Sequence, residues 1–325
     1  MTPEQYNPVI RLESIFMPKA RERRDKLYNG RDRAKFVHYT SADAALNIIN
    51  TKRIWMRNTT CMSDYREVSH GYDLLNAFFS NATNKGNFIN ALDLCSPNIG
   101  QEAIDLFNQW WSDIQRNSYI ASISEHDDKE NMHGRLSMWR AYGGNSARVA
   151  IVFSVPWYSG ASAALNIMFS PVAYLNKDDV YDEINSVINN VKSNREFLSS
   201  IDRTTLLAQV FNMLVAGVTC LKHEGFGEEL EWRILYAPKR WPSPLMEYTT
   251  EIIGGIPQIV YKLPLDKTVS ETLVELDISR LFDRLIIGPS QFPLAQYDAF
   301  VDALKKADVP DAENRVFTSD IPIRT

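Results

Sequence analysis

Apolar and polar positions alternate along this chain with two different periods, and residues 35–60 contain both of them. The segment opens with an apolar strand that ends in the polar trio His38, Tyr39 and Thr40. Apolar side chains then return at helical spacing, and a second apolar strand follows. Ser41 is the expected cap of the helix N-terminus. The pattern therefore predicts a strand–helix–strand unit with polar side chains at its first junction.

The polar trio at this junction is the first candidate binding feature. A helix N-terminus offers free N–H groups, and the imidazole and hydroxyls beside it supply further donors and acceptors. This arrangement suits a ligand that carries phosphate or ribose. The simpler interpretation is a buried His–Tyr pair that packs at the end of a strand.

The same two periods predict the remaining elements. Helices are expected at residues 8–29, 101–117, 177–200, 202–222 and 293–306, with the first one ended by Asn29-Gly30. Strands are expected at residues 119–124, 148–153, 168–175, 229–236, 258–263, 272–277 and 285–287. Because the strands mostly do not alternate with long helices, the fold class is predicted as α+β, with a mixed or antiparallel sheet and several helical insertions.

Composition and charge restrict the class of protein. The 325 residues are 45% hydrophobic and 23% charged, and the net charge of −5 creates no global attraction to nucleic acid. The first 35 residues differ, with nine Lys/Arg against five Asp/Glu. This basic helical arm, assigned to residues 1–34, is either a solvated amphipathic helix or a contact for phosphates or a partner. No Pro/Gly/Ser-rich linker follows it, so residues 35–325 are predicted to form one domain.

Cysteine usage and hydropathy indicate the compartment. Cys61, Cys95 and Cys220 are isolated, which supports neither a disulfide framework nor a cysteine zinc site. The N-terminus lacks a secretory pattern, and no apolar run reaches the roughly 18 residues of a membrane span. We therefore expect a cytoplasmic protein without a membrane partner.

A loop at residues 126–133 raises the question of a metal. His126, Asp127, Asp128 and His133 are residue types that bind divalent ions. They lie among Lys, Glu and Asn residues, however, which is typical of a solvated turn. The expectation is that the protein uses no metal.

Two further segments contain candidate chemistry. Strand alternation places Glu229, Glu231 and Arg233 on one face, where a carboxylate could stabilise a developing positive charge or bind ribose hydroxyls. The alternative is a local ion pair on a solvent-facing strand. Trp139 and Tyr142 share one face of a short helix, and they either pack in the core or form a stacking platform for a base or nicotinamide.

The order of these motifs resembles a known family. It runs HYTS, RIWMRNTTCMSDYRE, SMWRAYGGNSARVAIVF, KHEGFGEELEWRILY, LIIGP and SDIPIR across residues 35–325. This series is similar to a widespread bacterial domain family of unknown function, found among toxin and phage-defence genes. That family in turn resembles ADP-ribosyltransferases of the DarT-like, His-Tyr-Glu type, which implies a sheet of the ADP-ribosyltransferase type.

The resemblance implies roles for individual residues. His38 would hold the ribose of NAD and act with Glu231, the expected catalytic glutamate, while Glu229 and Arg233 would position the acceptor. The remaining implied NAD contacts are Tyr39, Thr40, Asn58, Asp64, Trp139 and Tyr142. The family's second segment usually contains Asn-Asp-Pro followed by Glu, whereas this chain has Ser63-Asp64-Tyr65-Arg66-Glu67 and keeps only the Asp and the Glu. Tyr65 and Tyr142 are both candidates for the middle-motif tyrosine.

The implied activity is an NAD-dependent mono-ADP-ribosyltransferase that uses NAD as co-substrate and needs no metal. It would be a toxin or anti-phage effector that modifies RNA or DNA inside the bacterial cell, with an antitoxin or chaperone as a further partner. The basic arm favours a nucleic-acid acceptor. The alternatives are an NAD glycohydrolase, a transferase acting on a protein, and a non-enzymatic nucleotide-sensing module.

Overall fold

A computed structural model describes residues 3–62, 67–142, 147–157 and 159–321 of the chain. The helices are α1 (Pro3–Phe16), α2 (Pro18–Tyr28), α3 (Ala42–Thr51), α4 (Glu67–Phe79), α5 (Ala82–Asp93), α6 (Ile99–Arg116), α7 (Leu136–Ala141), α8 (Gly160–Ala164), α9 (Lys177–Ser193), α10 (Arg195–Ser200), α11 (Arg203–Thr219), α12 (Ile278–Leu281) and α13 (Pro293–Lys306). The strands are β1 (Arg33–Ser41), β2 (Arg53–Asn58), β3 (Tyr119–Glu125), β4 (Arg148–Pro156), β5 (Ile167–Pro171), β6 (Ala173–Tyr174), β7 (Leu221–Lys222), β8 (Glu231–Tyr236), β9 (Glu247–Ile253), β10 (Ile256–Pro264), β11 (Phe282–Ile287) and β12 (Val316–Thr318).

The chain divides into two compact units, each assembled from three separate segments. The first unit comprises residues 1–26, 58–118 and 170–227, and it is mainly helical. The second unit comprises residues 27–57, 119–169 and 228–325, and it contains most of the strands. Among the described helices, none combines the length and the apolar character that a membrane span requires.

The sheet has the strand order β12-β11-β4-β1-β3-β2-β10-β9, and β8 pairs with both β3 and β5. Within this sheet, neighbouring strands with a defined register are antiparallel except for β11 and β12, which are parallel. β6 and β7 form a separate parallel pair. The predicted α+β class with a mixed, mostly antiparallel sheet is therefore confirmed. The largest core cluster covers one face of this sheet, where Ile151, Leu285 and Ile287 pack with Leu304 of α13.

The first unit is held together by closely packed helices. A Cβ added to Gly71 in α4 would lie 2.8 Å from the Cα of Val218 in α11, so only glycine allows this approach. Trp110 and Trp111 of α6 are half-buried, and Trp111 stacks on Tyr72 of α4 with ring centroids 3.9 Å apart. An apolar cavity of about 120 Å³ lies between α4, α9, α11 and the α1–α2 junction, and none of the predicted site residues lines it.

The predicted basic arm is helical, but it is divided into two helices. α1 ends at Phe16 and α2 begins at Pro18, and proline is favoured in the first turn of a helix. The expected end at Asn29-Gly30 is confirmed by the positive φ angles of both residues, 45° and 72°. Arg21 and Arg24 lie 3.5 Å and 3.1 Å from the carboxylate of Glu13, so part of the arm's charge serves internal ion pairs.

Other elements also differ from the predictions. The strand predicted at 272–277 was wrong, because Glu271–Leu276 is a 3-10 helix with Ser270 accepting from the Thr272 N–H. The strand predicted at 168–175 is two strands, β5 and β6, which belong to different sheets. The helix predicted at 177–200 is two helices that meet at Asn194. β9 was not predicted, because its residues are exposed on both faces and show no apolar alternation.

Candidate active site

Strand β1 separates from β3 at His38. β1 pairs with β4 over its whole length, whereas its pairing with β3 stops after Val37 and Ser124. Beyond that point the imidazole of His38 replaces the backbone as the partner of β3, since its Nδ1 lies 2.9 Å from the carbonyl oxygen of Ser122. His38 therefore lies where the two strands diverge.

The hydrogen bond to Ser122 determines which nitrogen of His38 carries the proton. A carbonyl oxygen can only accept, so Nδ1–H donates and the neutral ring has Nε2 as a lone-pair acceptor. Desolvation lowers the pKa of His38 below its ordinary value, although the hydrogen bond to Ser122 opposes the shift. The neutral ring can therefore accept a hydrogen bond from a hydroxyl group.

Glu231 forms a buried ion pair with Arg233 on β8. The Nε of Arg233 donates to Oε1 at 2.8 Å and its Nη2 donates to Oε2 at 3.2 Å. The hydroxyl of Ser122 donates to the same Oε1 at 2.6 Å. Glu231 is 6% exposed and Arg233 is 2% exposed, so the pair lies in the interior and not on the solvent-facing strand considered as the alternative. A carboxylate fixed in this way needs little reorganisation to stabilise a nearby positive charge.

Ser122 connects the two candidate catalytic residues. Its carbonyl oxygen contacts His38, and its hydroxyl contacts Glu231. Ser124 is the register partner of both Val37 and Glu231, so Glu231 lies on the face of Val37 while His38 alternates to the other face. Ser122 therefore links two residues that the strand register places on opposite faces. The sequence did not indicate Ser122, because it occupies an ordinary polar position in an alternating strand.

The prediction that Glu229 shares a strand face with Glu231 and Arg233 was wrong. β8 begins at Glu231, whereas Glu229 is the last residue of a 3-10 helix (Glu224–Glu229). Leu230 between them has a φ of 47°, which interrupts the alternation that a continuous strand would have. The Oε1 of Glu229 accepts a hydrogen bond from the hydroxyl of Tyr142 at 3.3 Å.

Arg135 organises the chain before β8, and sequence reasoning missed it. Its guanidinium donates to the carbonyl oxygens of Glu228 and Glu125, each at 3.0 Å, and to the carboxylate of Glu130 at 2.8 Å. Its backbone N–H donates to the hydroxyl of Tyr39 at 2.7 Å. Arg135 therefore fixes the entry into β8, and with it the position of Glu231.

Tyr39 and Trp139 are core residues. Trp139 is fully buried and meets Tyr39 edge to face, with ring centroids 4.9 Å apart. The indole N–H donates to the carbonyl oxygen of His133 at 2.7 Å, and burial raises the pKa of the Tyr39 hydroxyl. The Trp139 ring has no exposed face for a base or nicotinamide, so of the two interpretations core packing is the one observed.

The other implied NAD contacts have different environments. Thr40 is half-buried at the end of β1, and Tyr142 is 38% exposed at the end of α7. Asn58 belongs to the helical unit, where its Nδ2 donates to the carbonyl of Arg116 at 2.7 Å and its Oδ1 accepts from the Thr60 N–H at 2.9 Å. Both polar atoms of the Asn58 amide therefore already have hydrogen-bond partners within the protein. The predictions for Ser63, Asp64 and Tyr65 lie outside the described residues.

The four metal-type side chains of the 126–133 loop do not converge. His126 and Asp128 both contact Asn131, and Asp128 also pairs with Lys35. Asp127 accepts from the Lys129 N–H, and His133 pairs with Asp320. In the described parts of the chain, no three His, Cys, Asp or Glu residues are grouped so that they could hold a metal ion.

Acidification should destabilise the protein below a pH of about 6.5, the ordinary histidine pKa. Burial lowers the pKa of His126, as desolvation does for His38, so the folded state binds fewer protons than the unfolded state in this range. The free energy of unfolding therefore falls as pH decreases from about 6.5. Urea unfolding between pH 7.5 and 5.5 measures this dependence.

The matched comparison for this pH effect uses His126→Gln and His38→Gln. Each variant should show a smaller loss of stability on acidification than the wild type. Burial raises the pKa of Glu183, so this group stabilises the folded state as pH falls, opposite to the two histidines. The comparison is therefore between the pH dependence of the unfolding free energy in each variant and that in the wild type. An identical pH dependence in all three proteins would contradict the assignment.

Comparison with known proteins gives one family match. Residues 138–234 match a family described as a protein of unknown function (DUF2971), which is less than a third of the chain. The matched region starts in α7 and ends in β8, so it includes Glu231 and Arg233 but not His38. No curated protein and no solved structure matches the chain. These findings support a domain of unknown function.

Proposed function

We propose that this protein is an NAD-dependent mono-ADP-ribosyltransferase that modifies nucleic acid, RNA or DNA, inside a bacterial cell. The observation that supports this most strongly is the buried Glu231 carboxylate, held by Arg233 and Ser122 next to the point where β1 and β3 diverge. A fixed interior carboxylate beside an opening in a sheet suits a reaction that develops positive charge on a sugar.

The proposed chemistry separates nicotinamide from the ribose of NAD and joins the ribose C1′ to an acceptor nucleophile. Nicotinamide leaves with the bonding electron pair, and the nucleophile gives up its proton to solvent as the new bond forms. The Glu231 carboxylate stabilises the positive charge that develops on the ribose. Arg233 and Ser122 keep the carboxylate oriented, and the Nε2 of neutral His38 accepts a hydrogen bond from a ribose hydroxyl.

Only some of the residues implied as NAD contacts are placed so that they could bind NAD. His38 and Thr40 lie at the strand divergence with groups able to bind hydroxyls, and Tyr142 is the exposed aromatic of the set. Tyr39 and Trp139 are enclosed in the core, and the amide of Asn58 is engaged by Arg116 and Thr60. The proposal therefore assigns ring stacking to Tyr142 and keeps Tyr39 and Trp139 as supporting residues.

The acceptor is the least constrained part of the proposal. Nucleic acid is favoured by the nine Lys/Arg in the first 35 residues. Several of these cations are engaged within the helical unit, since Arg23 donates to the carbonyl of Val172 at 2.7 Å and Arg24 pairs with Glu13. A protein acceptor remains the competing outcome of the experiment below.

The deciding experiment incubates the protein with NAD labelled in its adenylate part and with whole-cell lysate. We expect label in a macromolecular fraction that RNase or DNase removes and protease does not. His38→Ala should reduce this labelling strongly, because the ribose loses its hydrogen-bond acceptor. Thr40→Ala, at the same strand end, should have a smaller effect.

Other products would identify the alternatives. Free ADP-ribose without labelled macromolecule would indicate an NAD glycohydrolase, and label removed only by protease would indicate a protein acceptor. NAD binding in calorimetry without turnover would indicate a nucleotide-sensing module. The proposed role as a toxin or anti-phage effector, restrained by an antitoxin or chaperone, predicts growth arrest on induced expression that Glu231→Gln relieves.

A further inference from the structure

The strand β9 forms the end of the sheet. It pairs with β10 through a seven-residue antiparallel register from Glu247–Lys262 to Ile253–Ile256. In the described part of the chain β9 has no partner strand on its other side, where alternate N–H and C=O groups point outward. Such an edge is able to pair with another strand.

One face of this edge hairpin is apolar and exposed. Tyr248 is 63% exposed, Ile252 74% and Ile259 44%, and the register places all three on the same face. Natural edge strands usually carry Lys, Pro or a bulge that blocks pairing. β9 contains no Lys and no Pro, and its register with β10 is continuous. Apart from the carboxylates of Glu247 and Glu251, the edge therefore lacks these protections against association.

The sequence of β9 is complementary to itself. In an antiparallel pair of two β9 strands related by a two-fold axis at Thr250, all seven residues find partners. Tyr248 then lies opposite Ile252 of the second copy, Thr249 opposite Glu251, and Thr250 opposite Thr250. Aromatic–β-branched and Thr–Thr pairs are favourable cross-strand contacts.

Neighbouring registers are less favourable. A two-fold axis at Thr249 would place Glu247 opposite Glu251, and an axis at Glu251 would place that carboxylate opposite its own copy. Like charges directly opposite each other destabilise a strand pair. In the Thr250 register no two charges oppose, and Glu251 lies 3.1 Å from Lys262 of its own hairpin.

The geometry points to a symmetric homodimer in which β9 pairs with β9 of a second copy about Thr250 and joins the two sheets. This surface is separate from the proposed active site and does not depend on NAD chemistry. The partner is a second copy because the strand's side chains complement themselves in one register.

Light scattering coupled to gel filtration of the full chain tests the association. We expect the mass of the wild type to rise with concentration from 37.2 kDa towards twice that value. Thr250→Lys and Thr250→Glu should each stay monomeric, because each places like charges at the two-fold axis. An equimolar mixture of the two variants should regain the dimer. Leu294→Lys, at a residue 79% exposed on α13, is the matched control and should behave as wild type.

Two results would overturn the proposal. One is a wild type that remains monomeric at every concentration, and the other is a dimer that Thr250→Lys leaves intact. The register has its own test, since only residue 250 meets its own copy. Thr250→Cys should form an intermolecular disulfide on mild oxidation, whereas Thr249→Cys should not. Cross-linking through position 249 and not 250 would overturn the register.

Discussion

Replacing Glu231 by glutamine should lower the rate of ADP-ribose transfer by at least about 100-fold, the usual effect of removing a fixed electrostatic stabiliser from an active site. Glutamine keeps the shape of the side chain and removes the negative charge that opposes charge development on the ribose. Ser122→Ala should cause a smaller loss, since it removes one hydrogen bond to Glu231 and leaves the carboxylate in place. Single-turnover labelling with purified protein measures both effects.

Glu231 is buried, so its replacement can affect folding as well as catalysis. Glutamine at position 231 removes a carboxylate that contacts the buried guanidinium of Arg233, so we expect a loss of stability beside the loss of activity. The double variant Glu231→Gln, Arg233→Met removes both charges of this pair and should not recover activity. A folded Glu231→Gln protein with wild-type labelling would show that Glu231 is not catalytic.

Replacing Trp139 by alanine should reduce the free energy of unfolding by about 3–5 kcal/mol, the range for removing a large buried aromatic side chain. The indole fills a slot between Gly134 and Gly288, where added Cβ atoms would lie 2.6 Å and 3.1 Å from the ring. Its loss leaves a cavity beside Tyr39 and removes the hydrogen bond to the His133 carbonyl. Urea unfolding followed by circular dichroism measures the change.

Trp55→Ala is the matched control for this substitution, because Trp55 is half-buried on β2 of the same unit and should cost clearly less. Gly134→Ala tests the same packing by adding a methyl group against the Trp139 ring. It should destabilise by more than about 1 kcal/mol, because residue 134 has a φ of 66° and the new methyl group would meet the ring. Equal losses for Trp139→Ala and Trp55→Ala would contradict the assignment of Trp139 as a core residue.

The sequence predicted those parts of the fold that depend on local pattern. Short apolar segments located β1, β4 and β10, and the cap at Ser41 is confirmed by its hydrogen bond from the Ala44 N–H. β9 was not predicted, because both of its faces are exposed and its sequence therefore shows no alternation of apolar and polar residues. The strand predicted at 272–277 failed because its pattern reflects one buried side chain, Leu273, in a tight helical turn.

The candidate site was predictable only in part. His38 and Glu231 were identified by residue type and by the family resemblance. Ser122 and Arg135 act mainly through contacts with residues far away in sequence, and no local pattern records which carbonyl a guanidinium will reach. Glu229 lies outside β8 because Leu230 has a positive φ angle. Leucine rarely adopts such an angle, so the sequence gives no sign of it.

The interleaving of the two units has a consequence for synthesis in the cell. β4 is the most apolar strand of the sheet centre, and its two neighbours are β1, made earlier, and β11, made near the end of the chain. At ribosomal rates of about 5–20 residues per second, the β11 side of β4 stays open for roughly ten seconds after the strand is made. During that time its free edge can pair with other nascent chains, so the yield of native protein depends on how quickly the C-terminal segment arrives.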